Sequence, residues 1–108
     1  MEVFDAIAQR TRRDILRLLT GGELSVGAVA SHFPLTQPAI SQHLKVLREA
    51  GLVDERPDGT RRLYRLRPEG LGDLHEFLAD VLPAGLERLK RAAEDEERSG
   101  RGAAARRN

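Results

Sequence analysis

Apolar residues recur at intervals of three and four along most of the chain, and glycine, proline or a polar residue separates the apolar segments. This interval is the period of an amphipathic α-helix with one buried face. The pattern predicts short helices at residues 2–8, 11–20, 25–33 and 36–50, and a longer helical stretch after Pro68. We therefore expect a mainly α-helical chain with about five helices.

Local signals fix where the predicted helices begin and end. Thr11 and Asp14 have the spacing of a capping box at the start of the second helix. Ser25 and Thr36 are suitable N-caps for the third and fourth helices. Gly51 is placed to end the fourth helix, because glycine readily adopts the backbone conformation of a helix C-terminus.

A β-hairpin is predicted directly after the fourth helix. Asp58 and Gly59 form a dipeptide that favours a tight hairpin turn, and the second strand is the basic run RRLYRL at residues 61–66. A hairpin immediately behind a pair of short helices is the wing of a winged helix-turn-helix. The predicted fold class is therefore mainly α with a β-hairpin wing.

The fourth predicted helix has one apolar face and one polar face. Ile40, Leu44 and Leu47 are expected to face the core, whereas His43 borders the apolar edge and is expected to pack or cap. Polar side chains that can form hydrogen bonds with base edges in the DNA major groove occupy the outer face. The candidate base-reading residues are Thr36, Gln37, Ser41, Gln42 and Lys45.

Charge is distributed unevenly although the formal net charge of the chain is only +1. Residues 34–67 contain seven basic and four acidic residues, a local excess of positive charge that suits a DNA-binding face. The candidate phosphate contacts at the end of the helix and on the wing are Arg48, Arg56, Arg61 and Arg62. A competing interpretation is that Arg56 and Arg62 form weak surface ion pairs with the hairpin carboxylates Asp54, Glu55 and Asp58.

The stretch after Pro68 carries more apolar residues than one terminal helix of a monomer should expose. Together with the first helix it predicts a homodimer interface formed by Val3, Phe4, Ile7, Leu71, Leu74, Leu78 and Leu82. Pro83 and Gly85 are expected to kink or interrupt this helix. We expect a DNA-binding and dimerisation domain at residues 1–92 and a charged, disordered tail at residues 93–108.

Other features of the sequence limit its location and chemistry. The chain contains no cysteine, which excludes disulfides and thiolate metal sites. We see neither a signal peptide nor a run of about 20 apolar residues that would span a bilayer, so we expect a cytoplasmic protein without membrane contact. No nucleophile elbow, phosphate loop or metal-spaced motif is evident, so the protein is not expected to be an enzyme or to need a cofactor.

Three runs of the sequence resemble the ArsR-type family of bacterial winged-helix repressors: TRRDILRLL at residues 11–19, PAISQHLKVLREAGLV at residues 38–53 and GTRRLYRL at residues 59–66. The resemblance extends over residues 3–89, and it implies a homodimer, built on the first and last helices, that binds an inverted-repeat operator and blocks transcription. Pro34 departs from the family pattern, because it occupies the helix-turn-helix turn where a glycine is usual. The turn is therefore expected to be of another kind, since proline cannot adopt positive φ.

Metal sensing is where the chain departs further from this family. Family members that sense soft metals carry cysteines in or near the third helix, and this chain has none. Others bind metal on the last helix through an Asp-x-His pair and two later ligands. Asp73 and His75 match the first half, but Leu86 and Leu89 occupy the later positions. Two protein ligands do not make a stable site, so we expect DNA binding without metal.

Two alternatives to a metal-independent DNA-binding repressor remain. A winged helix can act as a protein-interaction module, but its outer helix face would then be apolar rather than polar. The other alternative is a metal-responsive repressor that uses Asp73 and His75. The operator sequence, the target genes and any effector are left open.

Overall fold

The computed structural model describes the backbone of residues 2–107 and the side chains of residues 2–97. The chain folds into two compact units, and the division lies between Leu74 and His75. The first unit contains the short helices and all the strands. The second is formed by most of the last helix.

Five α-helices are present in the described residues, as the sequence predicts. A short 3₁₀ helix, Pro68–Leu71, precedes the last of them. The α-helices are α1 (Val3–Ile7), α2 (Arg10–Leu19), α3 (Val26–Ala30), α4 (Gln37–Glu49) and α5 (Gly72–Arg107).

The strands form one antiparallel sheet with the order β1-β3-β2. Strand β2 (Val53–Asp58) and strand β3 (Arg61–Leu66) make the predicted hairpin, called the wing below, and Gly59 in its turn has a φ of 64°. Strand β1 (Leu24–Ser25) pairs with Leu63 and Tyr64 of β3 and was not predicted. A two-residue strand is too short to give a periodic signal, and only pairing with β3 makes it a strand.

The core of the first unit lies between the helices and the base of the wing. Its fully or almost fully buried residues are aliphatic, in keeping with the few aromatic residues in the sequence. Burial of this apolar surface is the main term that stabilises the unit. The core residues are Ala6, Ile15, Leu19, Val29, Ile40, Leu44, Leu47, Leu52 and Val53.

Two predicted N-caps are confirmed, and one capping box is wrong. The Ser25 hydroxyl accepts a hydrogen bond from Ala28 N at 3.2 Å, and the Thr36 hydroxyl accepts one from Ala39 N at 3.3 Å. Helix α2 already begins at Arg10, with Gln9 at its N-cap and no side-chain cap, so Thr11 lies inside the helix.

The guanidinium groups that follow Thr11 instead satisfy the free carbonyls at the end of α1. Arg12 Nε donates to Ala6 O at 2.6 Å, and Arg13 Nη1 donates to Ile7 O at 2.8 Å. A helix end leaves its last carbonyls without intrahelical partners, and cationic donors satisfy them well. Arg12 and Arg13 therefore join α1 to α2.

Glycines are required at two points where α4 meets the elements after it. Gly51 has a φ of 79° and ends α4 as predicted. A Cβ atom at Gly70 would lie 1.9 Å from Gly51 O, so the backbone of the 3₁₀ helix approaches α4 too closely for any side chain. Arg67 N also donates to Leu52 O at 2.8 Å, which fixes the chain after the wing against the end of α4. The turn between α3 and α4 contains no residue with positive φ, as Pro34 predicts.

Helix α5 differs from its prediction in two ways. It runs through Pro83 and Gly85 without an interruption, because the strong helix formers on both sides offset one missing backbone hydrogen bond. Its helical backbone also extends through residues 93–107, where the sequence predicts a disordered tail, and alanine and arginine in that stretch favour a helix. The domain boundary at residue 92 stays a prediction. Within the described residues, each helix is too short or too polar to cross a membrane.

Candidate nucleic-acid interface

Helix α4 presents its polar face to solvent and its apolar face to the core. Ile40, Leu44 and Leu47 are completely buried. The side chains on the opposite face, Gln37, Ser41, Gln42 and Lys45, are exposed, and they are called the outer face of α4 below. Burial of three large aliphatic side chains sets the rotation of α4 about its axis, and this rotation leaves hydrogen-bonding groups outward.

Thr36 lies at the N-terminus of α4, where its hydroxyl oxygen caps the helix. The residue is exposed. Because the oxygen accepts from Ala39 N, its own hydrogen stays available to an acceptor such as a phosphate oxygen. The cap and a DNA contact are therefore compatible.

His43 packs, as its place beside the apolar edge predicts. The side chain is half-buried, and burial, together with the positive charge of Arg12, lowers the pKa of His43 below its usual value of 6.5. A neutral, half-buried imidazole is poorly placed to contact DNA.

Each candidate phosphate-binding arginine is held by a carboxylate. Arg62 Nη1 lies 3.4 Å from Glu55 Oε1, and Arg61 Nε lies 3.1 Å from Asp58 Oδ2. Arg48 of α4 also donates to Glu55 Oε1. These pairs are partly exposed, so they orient the guanidinium groups more than they stabilise the fold.

Arg56 has a partner that the sequence did not indicate. Its Nε donates to Glu23 Oε2 at 2.6 Å, rather than to a carboxylate of the hairpin. Glu23 directly precedes β1, which pairs with the opposite edge of β3 from β2. Because β1 was not predicted, its neighbour Glu23 could not be placed near the wing.

Two residues beside the predicted set take part in the same surface. Glu55 is opposite Tyr64 in the β2–β3 register. Burial and a hydrogen bond to Glu55 raise the pKa of Tyr64 above its usual value. The position of the hairpin turn sets the register of the two strands, so the sequence contains a signal for the pairing of Glu55 with Tyr64.

An open cleft of about 470 Å³ separates the start of α4 from the wing. Hydroxyl, amide and guanidinium groups line it, so it offers donors to an anion. The lining residues are Ser25, Val26, Gly27, Gln37, Thr60, Arg61, Arg62 and Tyr64. The fold thus brings Gln37 of the base-reading set together with Arg61 and Arg62 of the wing set.

The residues predicted for a dimer interface differ in exposure. Val3, Ile7 and Leu71 are half-buried against the core of their own unit, whereas Phe4 is exposed. Leu74 and Leu78 are half-buried and Leu82 is exposed. Along α5 the exposed apolar side chains continue at helical spacing with Phe77, Val81, Leu82, Leu86 and Leu89.

The Asp73-x-His75 half-motif lies at the start of α5 with both side chains exposed. Among the described side chains, no group of three or more histidine, cysteine, aspartate or glutamate residues is positioned to hold a metal ion.

Comparison with known families and relatives points to one class of protein. The sequence model of the family "Bacterial regulatory protein, arsR family" matches residues 9–55. The HTH-type transcriptional regulator Rv2034 of Mycobacterium tuberculosis is 52% identical over 75 residues, which cover 69% of this chain and 70% of that protein. The transcriptional repressor SdpR of Bacillus subtilis is 36% identical over 83 residues, which cover 77% of this chain and 92% of the repressor.

Solved structures with the same fold agree with these relatives. The crystal structure of a possible transcriptional regulator for arsenical resistance superposes with a TM-score of 0.74 at 46% identity, covering 82% of this chain and 93% of that one. A homodimeric winged helix-turn-helix DNA-binding domain from Mycobacterium bovis, described as a possible ArsR-family regulator, superposes with a TM-score of 0.60 at 34% identity. The superposition covers 73% of each chain.

Proposed function

Because the chain belongs to the ArsR family of bacterial transcriptional regulators, with the winged helix-turn-helix fold of their DNA-binding domains, we propose that it is a homodimeric repressor of an inverted-repeat operator. Its family regulates transcription rather than catalysing a reaction, so the protein is not an enzyme. Binding of DNA needs no metal in this proposal, and it takes place in the cytoplasm.

The outer face of α4 is the observation that carries the proposal. Four exposed polar side chains cover it, and a fully buried aliphatic face lies behind it. A helix of this kind fits the major groove, where glutamine, serine and lysine form hydrogen bonds with base edges. A winged helix that binds another protein would expose apolar side chains on this face, which disfavours that alternative.

The wing supplies the contacts that hold the protein on the DNA backbone. Arg56, Arg61 and Arg62 are exposed, and their ion pairs leave further N–H groups of each guanidinium available. Arg48 extends this positive surface from the wing onto α4. Phosphate contacts of this kind set affinity and register, whereas α4 selects the sequence.

A homodimer is supported by the apolar side chains of α5 and by a relative. Val81, Leu82, Leu86 and Leu89 are exposed in one chain, and a monomer rarely exposes so many large apolar residues on one helix. The Mycobacterium bovis domain with the same fold is a homodimer. Two-fold symmetry of the protein matches an operator with two inverted half-sites.

Metal independence is inferred from the residue types. The chain has no cysteine, and Leu86 and Leu89 occupy the positions where a second pair of ligands would follow Asp73 and His75. Leucine side chains cannot ligate a metal, so this half-motif offers two protein ligands, fewer than a stable site requires.

In vitro selection tests the proposal as a whole. The full-length protein is used to select duplexes from a random-sequence pool in buffer containing EDTA. We expect an enriched inverted repeat whose half-sites are one helical turn apart, about 10 base pairs. Enrichment of no sequence would contradict the proposed function, and enrichment only after addition of zinc would contradict metal independence.

Single substitutions then separate base contacts from phosphate contacts. Gln42→Ala should weaken binding to the selected duplex more than to a scrambled duplex, by about 1–3 kcal/mol per lost base contact. Arg61→Ala should weaken both by similar factors and reduce the slope of log K against log salt by about one unit per lost phosphate contact.

Gln9→Ala is the matched control, because Gln9 is an exposed glutamine before α2 that makes no side-chain cap. It should leave both affinities unchanged. Loss of sequence preference in Arg61→Ala, with preference kept in Gln42→Ala, would reverse the two assigned roles.

A further inference from the structure

The Glu55 carboxylate lies between α4 and the wing and contacts side chains from both. Arg48 of α4 and Arg62 of β3 donate to the same oxygen, Oε1, the latter at 3.4 Å. The Glu55 side chain is only 19% exposed, compared with 42% for Arg48 and 59% for Arg62. One shielded acidic group therefore holds two of the proposed phosphate contacts.

Tyr64 adds a third contact from the neighbouring strand. It is opposite Glu55 in the β2–β3 ladder, and burial together with the interaction with Glu55 raises the pKa of the Tyr64 hydroxyl. A carboxylate that accepts several hydrogen bonds keeps a fixed orientation. The position of Glu55 is therefore set by the wing itself.

The other ion pairs of the wing are arranged differently. In the described part of the chain, Asp58 pairs with Arg61 across the hairpin turn, and Asp54 pairs with Arg65 of the facing strand. Each joins one carboxylate to one arginine within the wing. Glu55 alone among these groups connects the wing to α4.

We propose that Glu55 is a specificity-determining positioning residue, which holds Arg48 and Arg62 at a fixed spacing and cancels part of their charge. This inference rests on the proposed function. A guanidinium has five N–H donors, and Glu55 uses one from each arginine, so both can still bind phosphate. The phosphates of an operator that fits α4 then meet arginines that are already oriented.

Loss of the charge should strengthen non-specific binding. Affinity for random DNA depends mainly on the number of phosphates that cationic side chains neutralise. Without Glu55, Arg48 and Arg62 carry their full charge and move freely, so they can bind phosphates of any sequence. The operator gains from the same attraction but loses the fixed spacing between α4 and the wing.

The main test compares Glu55→Gln with the wild-type chain. Anisotropy titrations of the full-length protein use the selected duplex and its scrambled version at several salt concentrations. At 0.1 M salt, we expect each protomer of the variant to bind the scrambled duplex up to roughly tenfold more tightly than a wild-type protomer does. The affinity of the variant should also depend more steeply on salt. Discrimination, the ratio of the two dissociation constants, should fall by about tenfold.

Glu23→Gln is the matched control, because it removes the same charge from a carboxylate that pairs with Arg56 of the wing rather than with Arg48 of α4. It should raise both affinities together and leave discrimination unchanged. Glu55→Asp separates charge from position, because the shorter side chain keeps its charge but withdraws from the arginines. It should lower discrimination without strengthening binding to the scrambled duplex.

A third comparison asks whether Glu55 acts through its arginines. In a chain that carries Arg48→Ala and Arg62→Ala, adding Glu55→Gln should leave discrimination as it is in that background. An equal fall of discrimination in both backgrounds would show that Glu55→Gln acts through the fold rather than through the two arginines. In that case, thermal unfolding followed by circular dichroism would show that Glu55→Gln destabilises both chains to the same extent.

The outcomes separate this inference from the proposed function. A wild-type chain with no sequence preference would contradict the proposed function. If the wild-type chain prefers its selected duplex and the Glu55→Gln and Glu55→Asp variants discriminate equally well, the role of Glu55 is overturned. The proposed function then still stands.

Discussion

At the scale of single residues, the structure assigns different tasks to neighbours on the same helix. Gln42 faces solvent, the adjacent His43 is half-buried and Leu44 is fully buried. Successive residues of an α-helix differ by about 100° in direction, so three adjacent side chains meet three environments. The intermediate position of His43 makes it a titratable group on the border of the core.

The pKa of His43 predicts how stability depends on pH. Burial, with a contribution from Arg12, lowers the pKa in the folded state below the value of 6.5 in the unfolded chain. The unfolded state therefore binds a proton first as the pH falls. The contribution of His43 to the free energy of unfolding should be complete above about pH 6.5 and should be lost as the pH falls through the folded-state pKa.

Urea unfolding between pH 5 and 8 measures this effect. His43→Gln should show a smaller loss of stability across that range than the wild-type chain. His32→Gln replaces an exposed histidine and should follow the wild-type pH dependence. The explanation would fail if both substitutions altered the pH dependence equally.

At the scale of elements, backbone approach joins α4 to the segment that leads into α5. The 3₁₀ helix lies so close to the end of α4 that the Gly70 position meets Gly51 O. Both positions belong to the first unit, and the hydrogen bond from Arg67 N to Leu52 O lies beside them. The end of α4, the helix proposed to contact DNA, is therefore fixed against the segment that leads into α5.

Gly70→Ala should destabilise the first unit by about 1–3 kcal/mol or more, because its Cβ would overlap backbone that cannot move independently. Gly72→Ala is the control, since a Cβ there meets nothing within 4 Å. It should change stability by less than about 1 kcal/mol, or stabilise the chain slightly. Thermal unfolding of the two variants under identical conditions would reveal the difference, and equal melting temperatures would contradict the close approach.

At the scale of the whole molecule, the apolar surface of α5 predicts association. The exposed side chains recur at three- and four-residue spacing, which is the pattern of a helix that packs against another apolar surface. A second copy of the chain is the partner in our proposal. Association would double the number of DNA-contacting helices, and each half-site alone is bound weakly.

Light scattering should give a mass of about twice the 12.0 kDa of one chain. Leu82→Glu should shift the mass towards the monomer and weaken binding to the selected duplex. Leu35→Glu is a matched control for the mass, because both leucines are 41% exposed but Leu35 lies in the turn before α4 rather than on α5. It should leave the mass of the dimer unchanged. A monomeric mass for the wild-type chain at micromolar concentration would refute the dimer.

The sequence by itself determined the five helices, the hairpin and the face of α4 that meets solvent. Helical periodicity placed Ile40, Leu44 and Leu47 in the core, and the caps Ser25 and Thr36 and the glycine at position 51 marked helix ends correctly. These features follow from interactions between residues close in the chain, so a linear pattern contains them.

Only the tertiary structure decided which distant groups meet. Strand β1 exists because β3 offers it a pairing edge, and this pairing brings Glu23 to Arg56. Glu55 reaches both Arg48 and Arg62 because the wing folds back against α4. In the same way, the linear pattern predicted a capping box at Thr11 and did not show that the side chain of Arg12 in α2 binds a carbonyl at the end of α1. Such contacts depend on how the elements pack, and the spacing of residues along the chain carries no record of that packing.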